Sequence, residues 1–402
     1  MNVSVGGGDG PRGPLSGIRV LDLSTVVSGP LCSQVLGDLG AEVIKVESPG
    51  GDTTRRMGLP DASGFTGFYV QFNRNKRGIA ANLKTDAGRD VVRRLAGRAD
   101  VLLENYRPDV MERLGLGYES LAAENPRLVY VAINGFGPDG PYAGLPAYDS
   151  VIQGLAGFMH TQGGRYGEPT LVRSIAADKA SGMTAVYAVL AALYARERDG
   201  GRGQRIDVPM LDSYVAFMLP DVFQDRTYAE APEPGPAPEI HRTWATRDGH
   251  VVMMIIEDHQ FQAMCRALDR EDLIEDPRCA SLVTRFMNAE ALFAELEDEL
   301  RKWPTHEIVE RARRYGAPLA PANGIPDMMA DPQVRHSAVV FDVQHPESGT
   351  LRYLRNPVRF AQTPTSMRRH PPKLGEHTEE VLREAGFSDE EIAALRSEGA
   401  VT

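Results

Sequence analysis

The stretch IRVLDLSTVVSGPLCSQVLGDLGAEVIKVE, Ile18 to Glu47, decides the fold. Its opening IRVLDLS reads as a short buried strand, and PLCSQVLGDLGA as a helix opened by Pro30 and closed by Gly40. EVIKVE, Glu42–Glu47, then reads as a second strand. The unit recurs downstream. RGIAANL (77–83) is followed by a helix over 85–96 and by DVLLENY (100–106), and RLVYVAINGF (127–136) adds another β-rich segment. Strands separated by helices of this length predict an α/β fold, with a parallel sheet covered by helices on both faces. The ligand site of such a sheet lies at the carboxyl ends of its strands.

Working outward, the chain has 402 residues, 42% hydrophobic and 25% charged, enough for more than one compact unit. The net charge of −11 excludes general binding to nucleic acid or to an anionic membrane, so an anionic ligand must meet a local cluster of bases. Cys32, Cys265 and Cys279 are scattered, which suits a reducing cytoplasm and excludes a C-x-x-C zinc or redox motif. The Gly-rich start MNVSVGGGDGPRGPL reads as a disordered lead-in without the apolar core of a signal peptide. No apolar run is long enough to span a bilayer.

The Pro- and acid-rich segment 228–242 reads as a linker. Beyond it, TWATRDGHVVMMII (243–256) predicts a hairpin with an Asp-Gly turn, and helices are expected over 259–267 and 289–314. GAPLAPANGIPDMMADP (316–332) is expected to be irregular, and strands return over 337–360. A terminal helix follows in FSDEEIAALRSEGA, where Ser388 and Glu391 form a capping box.

Function is harder to place. P-loop, hydrolase-elbow and H-E-x-x-H motifs are absent, and GGGDGPRG lacks the preceding strand of a dinucleotide fingerprint. One residue stands out. Asp178 is the first charged residue of a long apolar helix within 172–204. Such an aspartate serves either as a helix cap or as a reactive carboxylate, and its surroundings must decide between them.

Four segments together resemble the class III CoA-transferases, a group that includes formyl-CoA and carnitine CoA-transferases and α-methylacyl-CoA racemases. They are 18–55, LLENYRPDVMERLGLGYESLAAENPRLVYVAINGFGPDGPYA (102–143), AADKASGMTAVYAVLAALYARERDGGRGQRIDVPMLD (176–212) and LGEHTEEVL (374–382). The resemblance implies a large Rossmann-like CoA-binding domain, its N-terminal part over 14–227 and its return over 335–402. A smaller α+β domain over 228–334 lies between them. It also implies a homodimer of interlocked rings, and a CoA thioester as substrate with no metal or permanently bound cofactor.

By this resemblance Asp178, in the AD-x-x-x-G-M position, is the nucleophile. It would pass through an aspartyl anhydride and an aspartyl-CoA thioester while CoA moves from an acyl donor to a carboxylic acid. The helix N-terminus would keep the carboxylate ionised, and Gly182 would leave the substrate's approach open. Arg107 and Arg113 match positions that contact CoA, and Asn73, Arg74 and Lys76 lie in a second contacting segment. Asn105 would bond the pantetheine or a helix start.

Departures narrow the substrate. Val27 replaces a glutamine and Phe136 a tyrosine of the formyl-CoA transferases. The racemases' His-Asp pair is Tyr148-Asp149 here, and a tyrosine is a poor base at neutral pH. Glu257, Asp258 and His259 fall near the racemases' second acid but also suit a solvated helix start, and GAPLAPAN is expected to wall the acyl pocket. CoA transfer is therefore the leading expectation. A 2-methylacyl-CoA racemase is the alternative, and an intact Asp178 argues against a CoA-binding protein without turnover.

Overall fold

A computed structural model describes residues 13–163, 167–230 and 240–402. The lead-in over 1–12 and most of the expected linker, 231–239, lie outside the described residues. Contacts group the described residues into two compact units, one of 13–163, 167–224 and 337–402, the other of 225–230 and 240–336.

The first unit is built on six parallel strands: β1 (Arg19–Asp22), β2 (Glu42–Glu47), β3 (Lys76–Ala80), β4 (Val101–Glu104), β5 (Val129–Asn134) and β6 (Arg205–Pro209). Their order is β3-β2-β1-β4-β5-β6, the order of doubly wound nucleotide-binding sheets. Val20 pairs with Val43 on one side and Val101 on the other, so β1 is central. Side chains alternate between two cores. Val20, Val101, Leu103, Val129 and Val131 pack with the helices Ser28–Asp38 and Ala176–Arg198. Leu21, Leu102 and Tyr130 pack with the helix Asp86–Ala96 and with Val381, Leu382 and Ile392 from the end of the chain. The C-terminal return is sealed by a bridge between Ala81 and Val401.

Local chemistry accounts for the boundaries. Thr85 caps the helix Asp86–Ala96 by accepting the Gly88 N–H at 3.0 Å, and the expected Ser388–Glu391 capping box is present. The first helix begins at Ser28, two residues before the expected start, because the first turn tolerates Pro30. β6 was not anticipated. It is an edge strand with mostly half-buried side chains and so lacks a strong apolar signal. A hairpin of β10 (Val340–His345) and β11 (Gly349–Leu354) packs Val343 and Tyr353 against Phe65 and Tyr69.

The second unit joins the hairpin β7 (Thr243–Ala245) and β8 (His250–Met253) to β9 (Leu319–Pro321), all antiparallel. Its core gathers Trp244, Phe261, Met264, Leu296 and Ile308. The helix expected over 289–314 is two helices, Ala289–Leu300 and Thr305–Tyr315, separated at Pro304, which has no N–H to continue the ladder. Gly316, at φ 81°, ends the second of them in the left-handed conformation. The stretch 316–332 is less irregular than expected, since it holds β9 and the helix Ile325–Ala330.

Candidate active site

The strand order reverses between β1 and β4, and the loops leaving these two strands define the crevice where such sheets hold ligands. From β1 come Leu23–Val27, and from β4 come Asn105–Asp109. Asn105 joins the two loops. Its Oδ1 accepts the Thr25 N–H at 2.8 Å and its Nδ2 donates to the Thr25 carbonyl at 2.7 Å. Nδ2 also lies 3.5 Å from the Ser28 hydroxyl. Asn105 thereby ties the loop leaving β4 to the loop that precedes the first helix.

Asp178 is half-buried in the first turn of the helix Ala176–Arg198, but it does not cap that helix. The cap comes from Asp149, at the start of the helix Asp149–Leu155. Its Oδ2 accepts the N–H of Ala177 at 2.7 Å and of Asp178 at 3.1 Å. Gln153 secures both ends of this arrangement. Its amide donates to Asp149 Oδ1 at 2.5 Å and to the Ser174 carbonyl at 3.0 Å, and its Oε1 accepts the Val172 N–H at 3.0 Å. The capping alternative for Asp178 thus falls to another residue.

The electrostatics also differ from expectation. Burial, then the negative charge of Asp149, push Asp178 up to about 6, and the backbone and hydroxyl of Ser28 pull it only partly back. The helix N-terminus therefore does not hold the carboxylate strongly ionised, because its first N–H groups already serve Asp149. What results is a carboxylate held above the usual range, with Ser28 beside it and no paired cation among the described residues. Gly182 also has another role than the one expected. A Cβ there would lie 2.7 Å from the Ser28 carbonyl and 3.2 Å from Leu31 Cδ2. Its missing side chain lets the long helix approach Ser28; it does not open a path for substrate.

The expected CoA contacts divide sharply. Arg107 is exposed and makes no ion pair among the described residues, and Arg113 is exposed with only a 3.3 Å contact to the Asp109 carbonyl. Both are free to meet phosphate. Asn73, Arg74 and Lys76 are not, which corrects their reading as CoA contacts: all three are buried. Arg74 is bidentate to Asp38 at 2.9 and 2.6 Å. Lys76 donates to Asp22 at 3.1 Å, to the Pro30 carbonyl at 3.0 Å and to Asn73 at 2.9 Å, while Asn73 donates to the Tyr69 carbonyl at 2.9 Å. The basic run 73–77 is the entry to β3, and it neutralises interior carboxylates.

Asp149 and Ser28 are the site residues that sequence reasoning missed. Asp149 had been noticed only as half of a substituted dipeptide, and a cap supplied from another helix leaves no spacing to read. In the second unit, Glu257, Asp258 and His259 are exposed at the start of the helix Asp258–Ala267, and Asp258 pairs with Arg285 at 2.8 Å. They follow the helix-start reading. GAPLAPAN contributes Ala317 and Leu319 to that unit's core, so those two side chains do not wall a pocket.

Residues 15–378 match the model of CoA-transferase family III. The chain belongs to CoA-transferase family III. It is 37% identical over 385 residues to the succinate–glutarate CoA-transferase of Agrobacterium fabrum, covering 92% of this chain and 95% of the relative. It is 34% identical to the human succinyl-CoA:glutarate CoA-transferase, covering 96% and 90%. With the formyl-CoA:oxalate CoA-transferase of Streptomyces coelicolor the identity is 32%, covering 96% and 99%. A CaiB/BaiF family protein from Brucella suis shares the fold at TM-score 0.83 and 34% identity, covering 93% of this chain and all of that one. The enzyme is accordingly a transferase that moves CoA between an acyl-CoA and a carboxylic acid. Among the described residues no helix is long and apolar enough to cross a membrane, and no group of three or more His, Cys, Asp or Glu side chains is placed to hold a metal.

Proposed function

We propose that this enzyme exchanges CoA between short dicarboxylic acids, with Asp178 as the nucleophile. The observation that carries the proposal is the state of Asp178: half-buried, raised to about 6, beside Ser28 and without a paired cation among the described residues. A strongly paired aspartate would be a poor nucleophile, and a protonated one would be none. The names of the succinate–glutarate relatives support the dicarboxylate class.

The chemistry balances without a net proton or redox change. An Asp178 oxygen attacks the thioester carbonyl, the C–S bond breaks, and CoA leaves as thiolate from a mixed anhydride. The thiolate attacks the Asp178 carbonyl, a C–O bond breaks, and the donor acid departs from an aspartyl-CoA thioester. The acceptor carboxylate then attacks the same carbonyl and expels thiolate, which attacks the acceptor's acyl carbon and frees Asp178. Ser28 would steady the oxygen that gains charge in each step. Arg107 and Arg113 would hold CoA phosphates by charge-assisted hydrogen bonds.

The chain would work as an interlocked homodimer. Met183, Tyr187 and Tyr194, exposed by 49%, 64% and 69% along one stripe of the long helix, support a partner surface. Incubation with succinyl-CoA and a panel of free acids, analysed by mass spectrometry, tests the reading. Glutaryl-CoA and free succinate are the expected products. If α-proton exchange of 2-methylacyl-CoA in deuterated water occurs without any new thioester, the racemase alternative replaces it.

A further inference from the structure

The loop between β1 and the first helix contains no glycine, yet Val26 stands at φ 67°, a left-handed conformation that a β-branched residue avoids. Side chains hold the N–H and carbonyl of Ser24 and Thr25 and the N–H of Val26. The Ser24 N–H donates to Asp22 at 2.9 Å, and the Ser24 carbonyl accepts from Lys45 Nζ at 2.9 Å. Asn105 takes both the N–H and the carbonyl of Thr25. The Val26 N–H lies 3.3 and 3.4 Å from the two oxygens of Asp52. Asp52 is fixed in turn by Lys45 at 3.0 Å and by the N–H and hydroxyl of Thr54 at 2.9 and 2.8 Å. The side chains of Lys45 and Asp52 are wholly buried.

A strained turn persists only where its surroundings over-determine it, and such turns concentrate at functional sites. Two residues beyond Val26 comes Ser28, pressed against the long helix at Gly182, one turn from Asp178. A left-handed glycine would reach the same turn without strain but would also leave it free to move. A valine forced into that turn by buried charges makes it rigid.

We propose that Asp52, backed by Lys45, and Asn105 are positioning residues that hold Val26 left-handed and so fix Ser28, which the missing side chain of Gly182 lets seat against the long helix one turn from Asp178. The inference rests on Asp178 being the reacting group.

Val26→Gly, Val26→Asn and Asp52→Asn test it. Val26→Gly should fold with a Tm close to that of the wild type, because removing strain offsets added backbone freedom. Its kcat should nevertheless fall at least about tenfold with KM for the thioester nearly unchanged, as expected for lost positioning. The acid limb of its kcat/KM profile should move to higher pH as the Ser28 donors loosen. Val26→Asn, which tolerates the left-handed region, should stay within about threefold of wild type. Asp52→Asn should follow Val26→Gly in kcat and in the acid limb. A Val26→Gly enzyme with wild-type kcat and acid limb, or a Val26→Asn enzyme as impaired as Val26→Gly, overturns the proposal. If the wild type itself transfers no CoA, the functional reading falls instead. A crystal structure of Val26→Gly then decides the brace: Ser28 displaced from Asp178 supports it, and Ser28 unmoved overturns it.

Discussion

Asp22 and Asp178 flank the same loop in opposite electrostatic states. Asp22, at the end of β1, is fully buried, yet it lies at about 2, below the usual carboxylate range. Burial alone would raise it, but Lys76, Lys45 and the hydroxyls of Ser24 and Ser33 outweigh that effect. Asp178 is less buried and is raised to about 6 by burial and then by the charge of Asp149, with no cation among the described residues to offset them. Depth alone therefore does not set the charge state of a carboxylate. The cations make Asp22 a fixed structural anion, whereas Asp178, the proposed nucleophile, has no such partner among the described residues.

The two aspartates also act oppositely on stability. The folded-state pKa of Asp22 is depressed, so its contribution is present above the unfolded value near 3.8 and is lost as pH falls through about 2. That of Asp178 is raised, so its contribution is present below 3.8 and is lost as pH rises through about 6.

The largest effect comes from breaking the structural side of this contrast. Lys76→Met leaves Asp22 buried without its nearest cation, and the fold should lose about 3 kcal/mol, read as a lower midpoint in urea. Wild-type stability would show that Asp22 does not depend on that pair.

A smaller change sharpens the reactive side. Asp149→Asn keeps an oxygen at the helix N-terminus but removes the like charge beside Asp178. The acid limb of kcat/KM, expected near pH 6 in the wild type, should move to lower pH with most of kcat retained. An unmoved limb would mean that another group controls it.

The contrast also explains what could be read in advance. β4 and β5 are legible as near-continuous apolar runs, and β1 to β3 as short β-branched or aliphatic stretches bounded by helix signals despite their charged residues. β6 is not, since Arg205–Pro209 is polar and lies at an edge. The motif singles out Asp178 and the segment singles out Arg107, the positions on which the proposed site rests. Arg74 and Lys76 were misplaced because a run of bases ordinarily marks solvent, and nothing local shows that Asp38 and Asp22 wait inside to neutralise it. Asp149 acts across 28 and 29 residues of chain, on the N–H groups of Ala177 and Asp178, a relation that only the fold creates.

Trapping a covalent intermediate on Asp178 is the sharpest test of the proposed nucleophile. Wild-type enzyme given succinyl-CoA without acceptor, then hydroxylamine, should carry a hydroxamate on the peptide containing Asp178. In the same experiment Asp178→Asn should form no adduct and should lose almost all turnover. It should stay folded, with a Tm at pH 8 no lower than that of the wild type, because it no longer carries the charge whose burial is costly. A hydroxamate on another residue, or near-wild-type CoA transfer by Asp178→Asn, would contradict the account.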